Sequence, residues 1–78
     1  LPQALESVRV RDRDAAEGAS GLWEAVESEN GALDGRGRVL VRPSGTEPVV
    51  RVMVEAPERD ECEAVLRRLV EVVQRELG

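Results

Sequence analysis

Alternation between apolar and polar residues marks three stretches of the chain as half-buried β-strands: residues 7–13, 38–42 and 49–55. Because successive side chains of a strand point to opposite faces, each stretch has one valine side. The valines of the three stretches are Val8, Val10, Val39, Val41, Val50, Val52 and Val54. In the first stretch, arginines occupy the alternate positions. The pattern therefore predicts a small sheet with one apolar face.

Two other stretches have the spacing of amphipathic helices. The first is expected over residues 15–29, because Asp14 and Glu17 form the D-x-x-E pattern of a capping box, and Asn30 and Gly31 supply a stop signal. The second is expected over residues 59–77. Its apolar face is formed by Cys62, Val65, Leu66, Leu69, Val70, Val72, Val73 and Leu77.

The predicted order of elements is βαββα, with a turn-rich connector at residues 31–37. Two helices are enough to cover one face of a small sheet. We therefore expect an α+β fold in which a small antiparallel sheet has two helices packed on one face. Residues 1–78 are predicted to form one domain.

Composition and charge narrow the classes of function. No apolar run approaches the roughly 20 residues that cross a bilayer. The opening LPQALESVRV lacks an initiating methionine and the basic and apolar regions of a signal peptide, so we expect it to be an internal segment. A net charge of −5 and one aromatic residue, Trp23, argue against nucleic acid as a partner. The single cysteine, Cys62, cannot form an intramolecular disulfide and is expected in the core. Because small secreted domains usually contain several disulfides, we expect a cytoplasmic location.

The segment RPSGTEP, residues 42–48, joins the last two strands. If these strands pair as a hairpin with Arg42 opposite Val49 and Leu40 opposite Arg51, the valines share one face. Parity then places Arg42 and Arg51 together on the other face, as diagonal neighbours close to the loop. Two guanidinium groups on one side of a sheet suit an anion.

The loop itself offers further donors. Gly45 is expected to adopt positive φ so that successive N–H groups converge, while Ser44 and Thr46 contribute hydroxyls. Pro43 and Pro48 stiffen the two ends of the loop. From composition alone, an ordinary turn beside two solvated arginines remains an equal alternative.

The longer stretch GRVLVRPSGTEPVVRVMVEA resembles the C-terminal domain of the α-D-phosphohexomutases, and the continuation RVMVE is similar to the branch that acts on glucosamine phosphates. The resemblance extends over nearly all 78 residues. It implies the fold of the phosphoglucomutase C-terminal domain, which is TATA-box-binding-protein-like. Residues 1–78 would be the fourth domain of a four-domain enzyme.

The activity that the resemblance implies is interconversion of glucosamine 6-phosphate and glucosamine 1-phosphate, for peptidoglycan precursors, through a phosphoserine and a bisphosphate sugar. The loop would bind the phosphate that is not transferred, with Glu47 and Pro48 shaping the loop. The residues implied to bind substrate phosphate are Arg42, Ser44, Gly45, Thr46 and Arg51. Mg²⁺ would be required by the full-length enzyme but held outside this chain, and the partners would be the hexosamine phosphate and the other three domains.

The chain lacks the residues for the chemistry itself. It contains no histidine, no D-x-D-x-D cluster for Mg²⁺ and no serine in the nucleophile motif of the family, so no catalytic or metal residue is assigned. Ser44 has no evident general base, which favours a role as a hydrogen-bond donor to phosphate over a role as a nucleophile. Two alternatives of other classes are a ferredoxin-like regulatory module for small ligands, suggested by the βαββα order, and a purely structural interaction domain.

Overall fold

Three strands and two α-helices follow one another in the expected order, with a short 3₁₀ helix before the first α-helix. The computed structural model describes residues 2–78 and every side chain among them except that of Arg13. The elements are β1 (Gln3–Arg9), the 3₁₀ helix (Arg13–Gly18), α1 (Ser20–Leu33), β2 (Arg38–Pro43), β3 (Val49–Glu55) and α2 (Arg59–Leu77). The predicted α+β fold is confirmed, and β3 and α2 have their predicted limits.

The sheet is antiparallel and has the order β1-β3-β2, so that β3 lies in the centre. Val8 pairs with Val50, and Val41 pairs with Val52. Because partners in an antiparallel sheet share a face, these pairings bring the valines of all three strands together. The valines on this face are buried.

Both helices cover the valine face. α2 packs against β1 and β3, and α1 packs against β2 and α2. Leu22 of α1 and Leu69 of α2 are completely buried between the layers, whereas Leu66 is only partly buried. Cys62 is also in the core, and its thiol donates a hydrogen bond to the Val54 carbonyl at 3.2 Å. None of the described helices is long and apolar enough to span a bilayer.

One ion pair joins the two helices at their solvent side. The guanidinium of Arg68 donates two hydrogen bonds to the carboxylate of Glu29, at 2.7 and 2.9 Å. This hydrogen bonding raises the pKa of Arg68 above its ordinary value. The hydrogen bonds therefore stabilise the charged form of Arg68.

The prediction for β1 was wrong by four residues at each end. The strand begins at Gln3, which pairs with Glu55, and ends at Arg9 rather than continuing to residue 13. The end of the strand has a local cause: Val10 donates its N–H to the Pro48 carbonyl at 2.9 Å, but proline has no N–H to return a second bond. The predicted outward side chain of Arg13 lies outside the described side chains.

The first helix also begins later than predicted. Asp12, rather than Asp14, is the capping residue, and its carboxylate accepts a hydrogen bond from the Asp14 N–H at 3.0 Å. The turn that follows is a 3₁₀ helix ending at Gly18, and Trp23 fastens it by donating its indole N–H to the Ala16 carbonyl at 2.7 Å. Glycine disfavours helical backbone, which is consistent with the interruption before α1.

The predicted stop at Asn30 and Gly31 was wrong as well, because α1 continues to Leu33. It ends where Asp34 and Gly35 adopt left-handed φ values of 47° and 80°. Asn30 serves the sheet instead: its side chain accepts from the Val39 N–H at 2.9 Å and donates to the Val39 carbonyl at 3.5 Å. These bonds satisfy backbone groups on the outer edge of β2, which has no neighbouring strand.

Candidate functional site

The RPSGTEP segment forms the tip of the β2–β3 hairpin. The Ser44 N–H donates to the Val49 carbonyl at 2.9 Å and closes the hairpin, while the Val49 N–H donates to the Glu47 carbonyl at 2.8 Å. The residues between these two bonds are exposed. The loop is thus anchored at both ends and open to solvent in the middle.

Two backbone donors of the loop converge on one atom. The hydroxyl oxygen of Ser44 accepts hydrogen bonds from the Thr46 N–H at 3.3 Å and from the Glu47 N–H at 3.2 Å. Both bonds are long for this type of donor and acceptor. The Thr46 and Glu47 N–H groups are therefore satisfied by the Ser44 hydroxyl, whose own hydrogen can still donate to a ligand.

The expected left-handed conformation of Gly45 was wrong. In the described chain the glycine with a left-handed φ is Gly35, and Gly45 lies outside that region. A side-chain Cβ built at Gly45 would meet no atom within 4 Å. The absence of a side chain at this position leaves open space over the loop, which is where a ligand could approach the backbone closely.

The hairpin register also differs from the prediction. Arg42 lies opposite Arg51, not opposite Val49, and Leu40 lies opposite Met53. The shift is an even number of residues, so the prediction that Arg42 and Arg51 share a face is confirmed. Because the Ser44–Val49 pair is hydrogen-bonded and such pairs alternate along the ladder, the two arginines form a hydrogen-bonded pair with Cα atoms about 5.5 Å apart.

The two arginines are exposed and face each other without a carboxylate between them. Within the described residues, Arg36, Arg38, Arg68 and Arg75 form ion pairs, and Arg42 and Arg51 do not. Like charges directly opposite on a sheet are destabilising. An anion held between the guanidinium groups would remove this repulsion, which makes the pair a candidate anion site.

The other side of the loop is less suited to an anion. Thr46 and Pro48 border an open hollow of about 230 Å³, whose further lining residues are Arg11, Asp12 and Asp14. Two carboxylates on this wall repel negative charge at short range. The electrostatics therefore favour an anion over the open sheet face, beside Arg42 and Arg51.

The structure places a third arginine of this face beside the loop, a position that the sequence did not indicate. Arg9 of β1 pairs with Val49 of β3, and Val49 in turn receives the hairpin-closing bond from Ser44. Ser7, two residues earlier, pairs with Arg51. The position of Arg9 follows from the strand order, because β1 is hydrogen-bonded to β3 although about 40 residues separate them. No local pattern carries that information.

The predicted site residues are therefore close together: Arg42, Ser44, Gly45 and Thr46 belong to one hairpin, and Arg51 lies across from the first of them. Within the described residues no group of three His, Cys, Asp or Glu side chains is placed to hold a metal ion. The arrangement can bind an anion through guanidinium groups and hydroxyls.

Sequence comparison relates the chain to known proteins. Residues 5–72 match the family model described as phosphoglucomutase/phosphomannomutase, C-terminal domain. The chain is 55% identical over 73 residues to a phosphoglucosamine mutase of Desulforudis audaxviator, and 51% identical over 78 residues to one of Oceanobacillus iheyensis. These alignments cover 94% and 100% of this chain, but only 16% and 18% of the two relatives.

Solved structures show the same fold in longer chains. An N-acetylphosphoglucosamine mutase of Aspergillus fumigatus superposes with a TM-score of 0.86 at 32% identity, over 97% of this chain and 16% of that one. A structure of the same fungal enzyme with GlcNAc-6P and magnesium gives a TM-score of 0.83 at 30% identity, over 100% of this chain and 16% of that one. A third structure, with glucose 1,6-bisphosphate, gives a TM-score of 0.83 at 32% identity, over 96% of this chain and 15% of that one. The chain, which spans about a sixth of the length of these relatives, belongs to the phosphoglucomutase/phosphomannomutase family and corresponds to its C-terminal domain.

Proposed function

We propose that this domain binds the non-transferred phosphate of a hexosamine phosphate in a full-length phosphoglucosamine mutase. The observation that carries the proposal is the pairing of Arg42 with Arg51 on an open face, beside an exposed loop with the hydroxyls of Ser44 and Thr46. The residues proposed to bind phosphate are Arg42, Ser44, Gly45, Thr46 and Arg51. Family membership favours this function over the ferredoxin-like regulatory module.

The proposed role is positioning. When one phosphate of the substrate is held by the loop, the hydroxyl at the other end of the sugar is oriented for transfer, and such orientation supplies much of the catalysis in phosphoryl transfer. The fungal relative has been crystallised with glucose 1,6-bisphosphate, a sugar with a phosphate at each end. A bisphosphate that reverses its orientation would present either phosphate to the same loop. The loop should therefore recognise phosphate rather than the sugar.

The chemistry of transfer is assigned to other parts of the full-length enzyme. The described residues of this domain include no set of side chains placed to hold a metal, so magnesium, which is named for the fungal relative, would be held elsewhere. We expect the 78-residue domain by itself to show no mutase activity. The partners of the domain would be the hexosamine phosphate and the remaining domains of the same polypeptide, in the cytoplasm.

Titration of inorganic phosphate into isotopically labelled domain, followed by backbone amide shifts, tests the proposal directly. We expect saturable shifts concentrated at residues 42–46, with millimolar affinity, because the isolated loop is an open half-site facing water. Arg42→Ala should abolish these shifts. The matched control is Arg67→Ala, which removes an exposed arginine of α2 and should leave them unchanged. Shifts spread evenly over distant arginines would show that the loop is only a turn.

A further inference from the structure

The open face of the sheet carries its arginines in a definite arrangement. Ser7, Arg51 and Arg42 form one row across β1, β3 and β2, and Arg9, Val49 and Ser44 form the next row, nearer the loop. Arg9 therefore lies directly across Val49 from the residue that closes the hairpin. It is also the diagonal neighbour of Arg51, at a Cα distance of about 7–8 Å that long side chains can span.

The hydrogen-bond pattern brings Arg9 close to the central strand. Val10 bonds to the Pro48 carbonyl, so the Arg9–Val49 pair that precedes it is a non-hydrogen-bonded pair. Side chains are closer in pairs of this kind, with Cα atoms about 4.5 Å apart. Val49 is too short to hold the Arg9 side chain away from the loop. The guanidinium of Arg9 can thus extend over Val49 toward Ser44.

The charges on this face point to the same conclusion. Arg9 is exposed, and no described carboxylate forms an ion pair with it. The chain as a whole has a net charge of −5, yet this end of the open face collects three arginines. Three guanidinium groups next to one another repel, and each favours an anion that all of them can reach. A phosphate dianion has enough acceptor oxygens for all three.

We propose that Arg9 is the third guanidinium of the phosphate site, contributed by β1 and reaching the same anion as Arg42 and Arg51. The inference rests on the proposed function, and it adds a residue from outside the hairpin to that site. In this arrangement all three strands contribute to the site: the hairpin supplies Arg42, Arg51 and the loop, and β1 supplies Arg9. A ligand bound at this face would also tie β1 to the β2–β3 hairpin.

The test uses the full-length polypeptide that carries the domain, with inhibition by inorganic phosphate and turnover of glucosamine 6-phosphate as readouts. We expect Arg9→Gln to raise the inhibition constant of phosphate about 10-fold, in line with the loss of a charge-assisted hydrogen bond. Arg9→Lys should recover part of the loss, since an ammonium keeps the charge without the planar fork. Arg67→Gln is the matched control on α2 and should change the constant less than twofold.

Two further measurements separate binding from a structural role. The melting temperature of Arg9→Gln without phosphate should stay equal or rise, because a repelling charge has been removed. In a double-mutant cycle, the losses caused by Arg9→Gln and Arg42→Ala should be non-additive, because both residues bind one anion. A fall in melting temperature together with additive losses would overturn the assignment of Arg9 to the site.

The outcomes also distinguish this inference from the function on which it rests. If Arg42→Ala raises the phosphate constant and Arg9→Gln leaves it within twofold of the unmodified protein, Arg9 is not part of the site, and the proposed function stands. If neither substitution changes the constant, or phosphate does not inhibit at tens of millimolar, both proposals fail. A loss with Arg9→Gln alone would locate the anion away from the hairpin and would likewise contradict both.

Discussion

The two faces of the sheet are built from the same three strands and have opposite characters. On the covered face, Val50, Val52 and Val54 of β3 are 0% exposed under the helices. On the open face, Leu5 and Leu40 are 68% and 45% exposed, and Arg42 and Arg51 face solvent. Burial of a valine contributes about 1.5–3 kcal/mol, whereas a pair of like charges across two strands costs about 0.2–1 kcal/mol. The covered face can therefore stabilise a domain whose open face carries unfavourable charges.

The comparison also shows where function can reside in a small domain. Each strand alternates between a residue that the core requires and a residue that the core does not constrain. Under the proposed function, arginines on the open face would reduce the stability of the unliganded domain slightly and would become favourable when an anion binds. Substitutions on the two faces should consequently affect different properties: stability for the covered face, and phosphate affinity for the open face.

The largest effect is expected from the centre of the covered face. Leu69 of α2 is 0% exposed, so Leu69→Ala should lower the free energy of unfolding by about 2–5 kcal/mol, through lost burial and a residual cavity. Leu66 is only partly buried, and Leu66→Ala should cost less. Urea unfolding measures both. Leu40→Ala, an exposed leucine of β2, is the control and should change stability by less than about 0.5 kcal/mol. Equal losses at Leu69 and Leu40 would contradict the difference between the faces.

On the open face, Arg42→Ala should reduce kcat/KM of the full-length enzyme about 100-fold, because a sugar released at its distal phosphate loses its orientation for transfer. The kcat/KM of Arg42→Lys should lie between those of Arg42→Ala and the unmodified enzyme, because an ammonium keeps the charge without the planar fork. Steady-state kinetics with glucosamine 6-phosphate measures the effect, and the unfolding midpoint should not fall in parallel. If the loss of stability, expressed as a free energy, equalled the loss of transition-state stabilisation, Arg42 would contribute to the fold and not to substrate binding.

The junction between helix and sheet can be tested at Asn30, whose side chain bonds to both backbone groups of Val39 on the edge of β2. Asn30→Ala should lower stability by about 1–3 kcal/mol, because the two partly buried backbone groups lose their partner. Hydrogen exchange of the Val39 amide should accelerate more than that of the Val52 amide in the central strand. Unchanged exchange at Val39 would refute a role for Asn30 in protecting the edge.

The smallest effect should have the opposite sign. Arg51→Gln removes one of two like charges that face each other, so the free energy of unfolding without phosphate should rise by about 0.2–1 kcal/mol. Phosphate should stabilise the unmodified domain more than the variant, since the stability added by a ligand at a given concentration is greater when the ligand binds more tightly. Thermal unfolding with and without phosphate gives both numbers. A destabilised variant without phosphate would show that Arg51 contributes a structural contact that outweighs the repulsion.

The sequence was sufficient for the features that depend on local period. Alternation in β2 and β3 placed Val39 and Val41 inside and Arg42 and Arg51 outside, and the 3.6-residue spacing of α2 gave its limits, Arg59–Leu77. The prediction failed where several local signals competed. Asp12 and Asp14 are both acceptable caps, and the glycines near them weaken a helix without deciding where it begins.

Tertiary structure alone decided the pairing of distant strands. Alternation determines which face a side chain occupies, but a shift of two residues preserves that face, so the position of Arg42 opposite Arg51 had to come from the packed sheet. The same applies to Arg9. The alternation of β1 predicts that its side chain lies on the face opposite the valines, whereas its place beside Val49 depends on β1 pairing with β3 rather than β2. That choice is made by burial of valines under two helices and is a property of the whole core, because no segment can bury its apolar face alone.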